Sequence, residues 1–107
     1  MKQLVATLLA GAIVAGLSVW ASAQEPGNAR VGRDVAQMRC AECHAVGKGA
    51  LRSRNGLAPT FESLATRRDV SEMELRALLR NSHREMPTMV LKDNEAADLA
   101  AYILTLR

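Results

Sequence analysis

The chain has 107 residues, about half of them apolar and only 3% aromatic, with 14 basic and 11 acidic side chains for a net charge of +3. That length holds one small domain. Charges of both signs are mixed along it, which excludes the concentrated basic surface that nucleic-acid binding needs, and no internal repeat or low-complexity tract interrupts it.

Lys2, the apolar run from Leu4 to Trp20 and the small-residue triplet Ala21-Ser22-Ala23 compose a secretory signal peptide over residues 1–23, with cleavage expected before Gln24. The rival is an uncleaved membrane anchor, since the run lies at the lower limit for spanning a bilayer. Export results in either case, in a bacterium to the periplasm, with membrane association only if the segment is retained. The domain is then residues 24–107. Loss of Lys2 lowers the net charge from +3 to about +2, and Phe61 and Tyr102 are the aromatics that remain. So small a chain with so thin a core needs a staple.

After a Pro26-Gly27 turn, Asn28 is an N-cap for a first helix over 29–42, with Val31, Val35 and Met38 as its apolar stripe. Gly32 inside it costs about 1 kcal/mol against alanine, a cost explained either by an exposed face or by another helix crossing there. The helix runs into Cys40-Ala41-Glu42-Cys43-His44, which has the C-x-x-C-H form of a c-type haem attachment site. Two cysteines at this spacing match the two haem vinyl groups, and the adjacent histidine reaches the iron. A disulfide between them would close too short a loop to stabilise the chain much. A buried haem would supply the missing apolar mass, so the apo-protein is expected to be poorly folded.

A glycine-broken polar loop spans 45–58, and Pro59-Thr60 opens a short helix over 60–67 with Phe61 and Leu64 on one side. Ser71 to Glu74 is a capping box for a third helix, striped by Leu75, Leu78 and Leu79 and ending near Asn81. Ser82 to Met89 cannot simply continue it, because Pro87 biases Met86 toward an extended conformation. The last helix spans 93–106, with Asp93 and Glu95 in its first turn and Leu99, Ile103 and Leu106 as its stripe. No segment reads as a strand, so the fold class is all-α.

Taken together, Gly32, the C-x-x-C-H with Ala45-Val46-Gly47, Ala58-Pro59-Thr60-Phe61, Met86-Pro87 and Asp98 to Ile103 resemble a small class I monohaem c-type cytochrome of the bacterial, periplasmic kind. The resemblance covers nearly all of 24–107. It implies a cytochrome c fold: about four short helices around one covalently bound haem c, with the first and last helices crossing at Gly32 and Tyr102. It also implies that His44 is the proximal iron ligand, that Met86 is the distal one, and that the Pro59 carbonyl accepts a hydrogen bond from the His44 imidazole. Met89 and His83 are the alternatives for the distal position, whereas Met38 and Met73 are expected in the core. Arg52, Arg54 and Asn55 are candidates to contact the haem propionates, which would cancel most of the net charge. Where members of the family often begin the last helix with Thr or Ser and Pro, this chain has Lys92-Asp93.

The function so implied is electron transfer by a His/Met haem. The protein would be a soluble monomeric carrier or the haem subunit of a redox system, not itself an enzyme, with redox donor and acceptor proteins docking transiently at the exposed haem edge. A second class of function, a gas-binding or peroxidase-like haem, requires a labile distal ligand. A third uses the cysteines without haem. A thioredoxin-like site lacks its β-α-β frame, and a zinc site would need His44 and His83 at unusual spacing.

Overall fold

The computed structural model describes residues 25–81, 86 and 89–107. Within them the chain forms α1 (Ala29–Arg39), α2 (Phe61–Ala65), α3 (Glu72–Arg80) and α4 (Asp93–Leu104), and no strand. The leader assigned to 1–23 and the alternative ligand His83 lie outside the described residues. Among those described, no helix is long and apolar enough to cross a membrane.

The crossing of α1 and α4 is the centre of the fold. The Asn28 side chain accepts the Arg30 and Val31 amides at 3.0 and 3.3 Å, capping α1, while its own backbone N–H donates to Asp98 Oδ1 on α4 at 2.7 Å. One residue thus starts the first helix and ties it to the last. A Cβ on Gly32 would fall 1.9 Å from the Asp98 carbonyl oxygen, so α4 occupies the space a side chain would need. This is the crossing that Gly32 and Tyr102 imply. Gly27 meets the Ala97 carbonyl in the same way.

That closeness turns α1 relative to its expected stripe. Its buried residues are Gly32, Val35 and Ala36, whereas Val31 is half-exposed and Met38 is 75% exposed. The small residues form the contact face because only they let the backbones approach, and Leu99 and Ile103 of α4 supply the bulk. Met73, also expected in the core, is 75% exposed. It stands two positions from buried Leu75 and therefore points to the other side of α3.

The expected helices exist, with tighter ends. α1 stops at Arg39 rather than at residue 42: the Cys40 and Ala41 amides both donate to the Ala36 carbonyl, at 2.9 and 3.0 Å, so the regular bonding pattern breaks there. α2 is five residues long, capped by the Thr60 hydroxyl on the Ser63 amide at 3.1 Å. α3 carries the expected reciprocal box: Ser71 Oγ accepts the Glu74 amide, and the Glu74 carboxylate accepts the Ser71 amide. α4 starts at Asp93 as expected, with the Glu95 carboxylate accepting the Lys92 amide at 2.9 Å. Its last turn loosens after Leu104, yet Leu106 stays buried. Leu75, Leu99 and Ile103 are the largest fully buried side chains, so the core is as thin as the composition implies.

Candidate functional site

The turn that ends α1 carries the two cysteines. Cys40 is buried, Cys43 is half-buried, and neither is in a disulfide. Burial pushes the Cys40 thiol above its ordinary range, partly opposed by the neighbouring Arg39 charge, which keeps it a neutral thiol.

His44 comes next in the chain, and its Nδ1 lies 2.7 Å from the Pro59 carbonyl oxygen. A carbonyl can only accept, so Nδ1 carries a proton, which in the neutral ring leaves the lone pair on Nε2. The ring tilts against Phe61 at 51° with centroids 5.5 Å apart. The partnership of His44 and Pro59 depends on the loop between them, which is pinned along its length. The Phe61 amide donates to the Ala45 carbonyl at 2.9 Å, and the Asn55 amide to the Cys43 carbonyl at 3.1 Å. Ser53 Oγ accepts the Ala45 amide at 3.0 Å, and Glu62 accepts the Gly49 amide at 2.6 Å. Gly49 has a φ of +82°, the left-handed region where glycine is free of Cβ strain. Behind the loop, the buried Tyr102 hydroxyl donates to the Val46 carbonyl at 2.7 Å, fixing it to α4.

Of the three residues considered for propionate contact, Asn55 already serves the loop, its side chain accepting the Leu57 amide. Arg52 and Arg54 are exposed. Leu51 and Leu57, in the loop that follows the motif, are 95% and 78% exposed.

Met86 and Met89 are both half-buried. The chain just beyond them is held by Arg39, whose Nη1 lies 3.3 Å from both Glu95 carboxylate oxygens and whose Nη2 donates to the Val90 carbonyl at 3.3 Å. The Lys92 amide and the Arg39 charge together hold the Glu95 carboxyl below its usual range.

The structure therefore brings Cys40, Cys43, His44 and Pro59 into one turn and its facing loop. Sequence reasoning missed Arg39, Ser53, Glu62 and the Tyr102 hydroxyl. Arg39 and Tyr102 act through partners 56 positions away and Ser53 and Glu62 through partners 8 and 13 away, beyond the reach of helical periodicity, and only the position of Arg39 directly before the motif was a visible signal.

A family model described as cytochrome c oxidase, cbb3-type, subunit III, matches residues 27–103. The chain belongs to that family. Cytochrome c-552 of Bradyrhizobium diazoefficiens is 43% identical over 77 residues, covering 71% of this chain and 72% of the relative. No solved structure matches the chain. The protein is thus a small c-type cytochrome with the all-α cytochrome c fold, an electron carrier rather than an enzyme, and haem c is the cofactor its family implies.

The residues present fit that cofactor. Two unpaired thiols flank a turn, the neighbouring imidazole has its Nδ1 committed to the Pro59 carbonyl, and apolar side chains of the loop that follows the motif stand exposed.

Proposed function

We propose that Cys40 and Cys43 hold one haem c through thioethers, that His44 Nε2 is the proximal ligand and the Met86 thioether the distal one, and that the protein carries single electrons in the periplasm. The hydrogen bond from His44 to the Pro59 carbonyl, directly beside two free cysteines, carries this reading. When bound, haem supplies the one-electron iron couple.

The rest is the work of the chain. The Pro59 carbonyl fixes the imidazole in one tautomer and one orientation and raises its basicity. Phe61 limits the ring's rotation. A methionine sulfur favours the reduced state relative to a second histidine. With His44 and Met86 both holding the iron, no coordination position would be left for substrate, which suits a carrier or the haem subunit of a redox complex. Residues 1–23 act as the export signal, with cleavage before Gln24. The mature protein is a monomer, and its redox partners dock transiently at the haem edge.

Expression of the full chain in a host competent for cytochrome maturation tests the attachment. The expected product keeps its haem through denaturing electrophoresis. Cys43→Ala should retain a single thioether with a red-shifted reduced spectrum, and His44→Ala should accumulate little holoprotein. A colourless protein with two free thiols would refute the proposal.

A further inference from the structure

Arg39 is the residue directly before Cys40, and it is the last residue of α1. Its guanidinium is one-third exposed, and it faces two groups from different parts of the chain. One edge meets the Glu95 carboxylate in the first turn of α4, while the other donates to the carbonyl of Val90, the residue after Met89. The Glu95 bond alone would make Arg39 a clamp on the helix crossing. The Val90 bond does something else: it ties the end of the methionine-bearing stretch to the helix that leads into the attachment motif. The planar fork of arginine suits this double task, because two nitrogens can donate in different directions at once. A lysine ammonium on a flexible stem is a point charge that can satisfy the carboxylate without also spanning to the carbonyl.

We infer that Arg39 is a positioning residue for the distal ligand, setting how readily the methionine side of the site gives way to an outside ligand. The inference rests on the proposed methionine ligation.

The test uses the ferric holoprotein and imidazole as an external ligand that competes for the distal position. Arg39→Lys should keep the ion pair to Glu95, and so most of the thermal stability, yet bind imidazole about tenfold more tightly. That is the effect of losing roughly one charge-assisted hydrogen bond from the resting state. Glu95→Gln should do the reverse, lowering thermal stability while leaving imidazole affinity near that of the unsubstituted protein. A purely structural Arg39 would make the two properties move together in both variants, and that result overturns the inference. Equal imidazole affinity in Arg39→Lys and the unsubstituted protein also overturns it.

A variant-free check is the NMR coupling across the hydrogen bond from Arg39 Nη2 to the Val90 carbonyl carbon in the holoprotein. Its presence supports the tie, and its absence removes it. The failure of the underlying ligation reading looks different: the unsubstituted ferric protein would then lack the far-red sulfur-to-iron band altogether.

Discussion

Between Ala45 and Phe61 the chain is fastened at both ends and in the middle, to Ser53, to Glu62, to the Cys43 carbonyl and, through Val46, to Tyr102 on α4. Among the described residues of the stretch that bears Met86 and Met89, the tie is of another kind. Both methionines keep part of their surface exposed, and the grip on the backbone just beyond them comes from the Arg39 side chain on the Val90 carbonyl. On the proximal side the peptide sets the geometry through its own backbone groups, so the His44 imidazole is oriented by the fold. On the distal side of the proposed site, a methionine sulfur would be placed by its bond to iron together with the Arg39 tie to Val90. The proximal ligand is therefore the fixed part of the proposed site, and the distal ligand is the adjustable part.

The scaffold beneath both sides is the α1–α4 crossing, and breaking it should have the largest effect. In Gly32→Val the new side chain begins 1.9 Å from the Asp98 carbonyl, against backbone that cannot swing aside. We expect a loss of about 3 kcal/mol or more, read as a lower denaturant midpoint and a poor yield of holoprotein. An unchanged midpoint would mean that the helices do not cross at Gly32.

Tyr102→Phe loosens the proximal side alone. It leaves the Val46 carbonyl buried without its hydroxyl donor, at a cost of about 1–3 kcal/mol. Denaturant unfolding should report that loss while the sulfur-to-iron band stays intact. If the band weakened along with stability, the two sides would not be held separately.

The smallest effect expected belongs to the pH response of Glu95, beneath the distal side. Its folded-state carboxyl is held below the usual range first by the Lys92 amide and then by Arg39. The stability this gives is present above the ordinary glutamate value of about 4.3 and is lost as pH falls through the lower folded value. Glu95→Gln should therefore flatten the acid limb of a stability-against-pH curve below about pH 4.3 and leave its slope near neutrality unchanged. An unaltered acid limb would mean that Glu95 gains nothing from these partners on folding.

Much of this was legible in the amino-acid sequence. Helix starts are written in short-range chemistry: Asn28, Thr60 and the Ser71–Glu74 box each satisfy amides within three residues, so local sequence is enough to find them. The motif at Cys40–His44 and its partner Pro59 were legible as well, the latter through the family pattern. Helix faces were less so. Val31 and Met38 have the right spacing for a buried stripe, but burial is decided by which face lets α4 come close, and Gly32 and Ala36 win that contest by being small. Met73 fails for the same kind of reason: an apolar side chain on a short helix is buried only if the facing element covers it. The long-range ties of Arg39 to Glu95, Tyr102 to Val46 and Arg107 to the Val70 carbonyl join residues 37 to 56 positions apart. No periodicity links such pairs, so they emerge only with the fold.

At the centre of this picture stands the proposal that His44 and Met86 together ligate the haem iron. The far-red absorption of the ferric holoprotein tests that pairing most directly, since a sulfur-to-iron charge-transfer band requires a methionine ligand. The band is expected in the unsubstituted protein, with its loss in Met86→Ala and its retention in Met89→Ala. Absence of the band in the unsubstituted protein, or its survival in Met86→Ala, would contradict Met86 as the distal ligand and leave the electron carrier's iron to another partner.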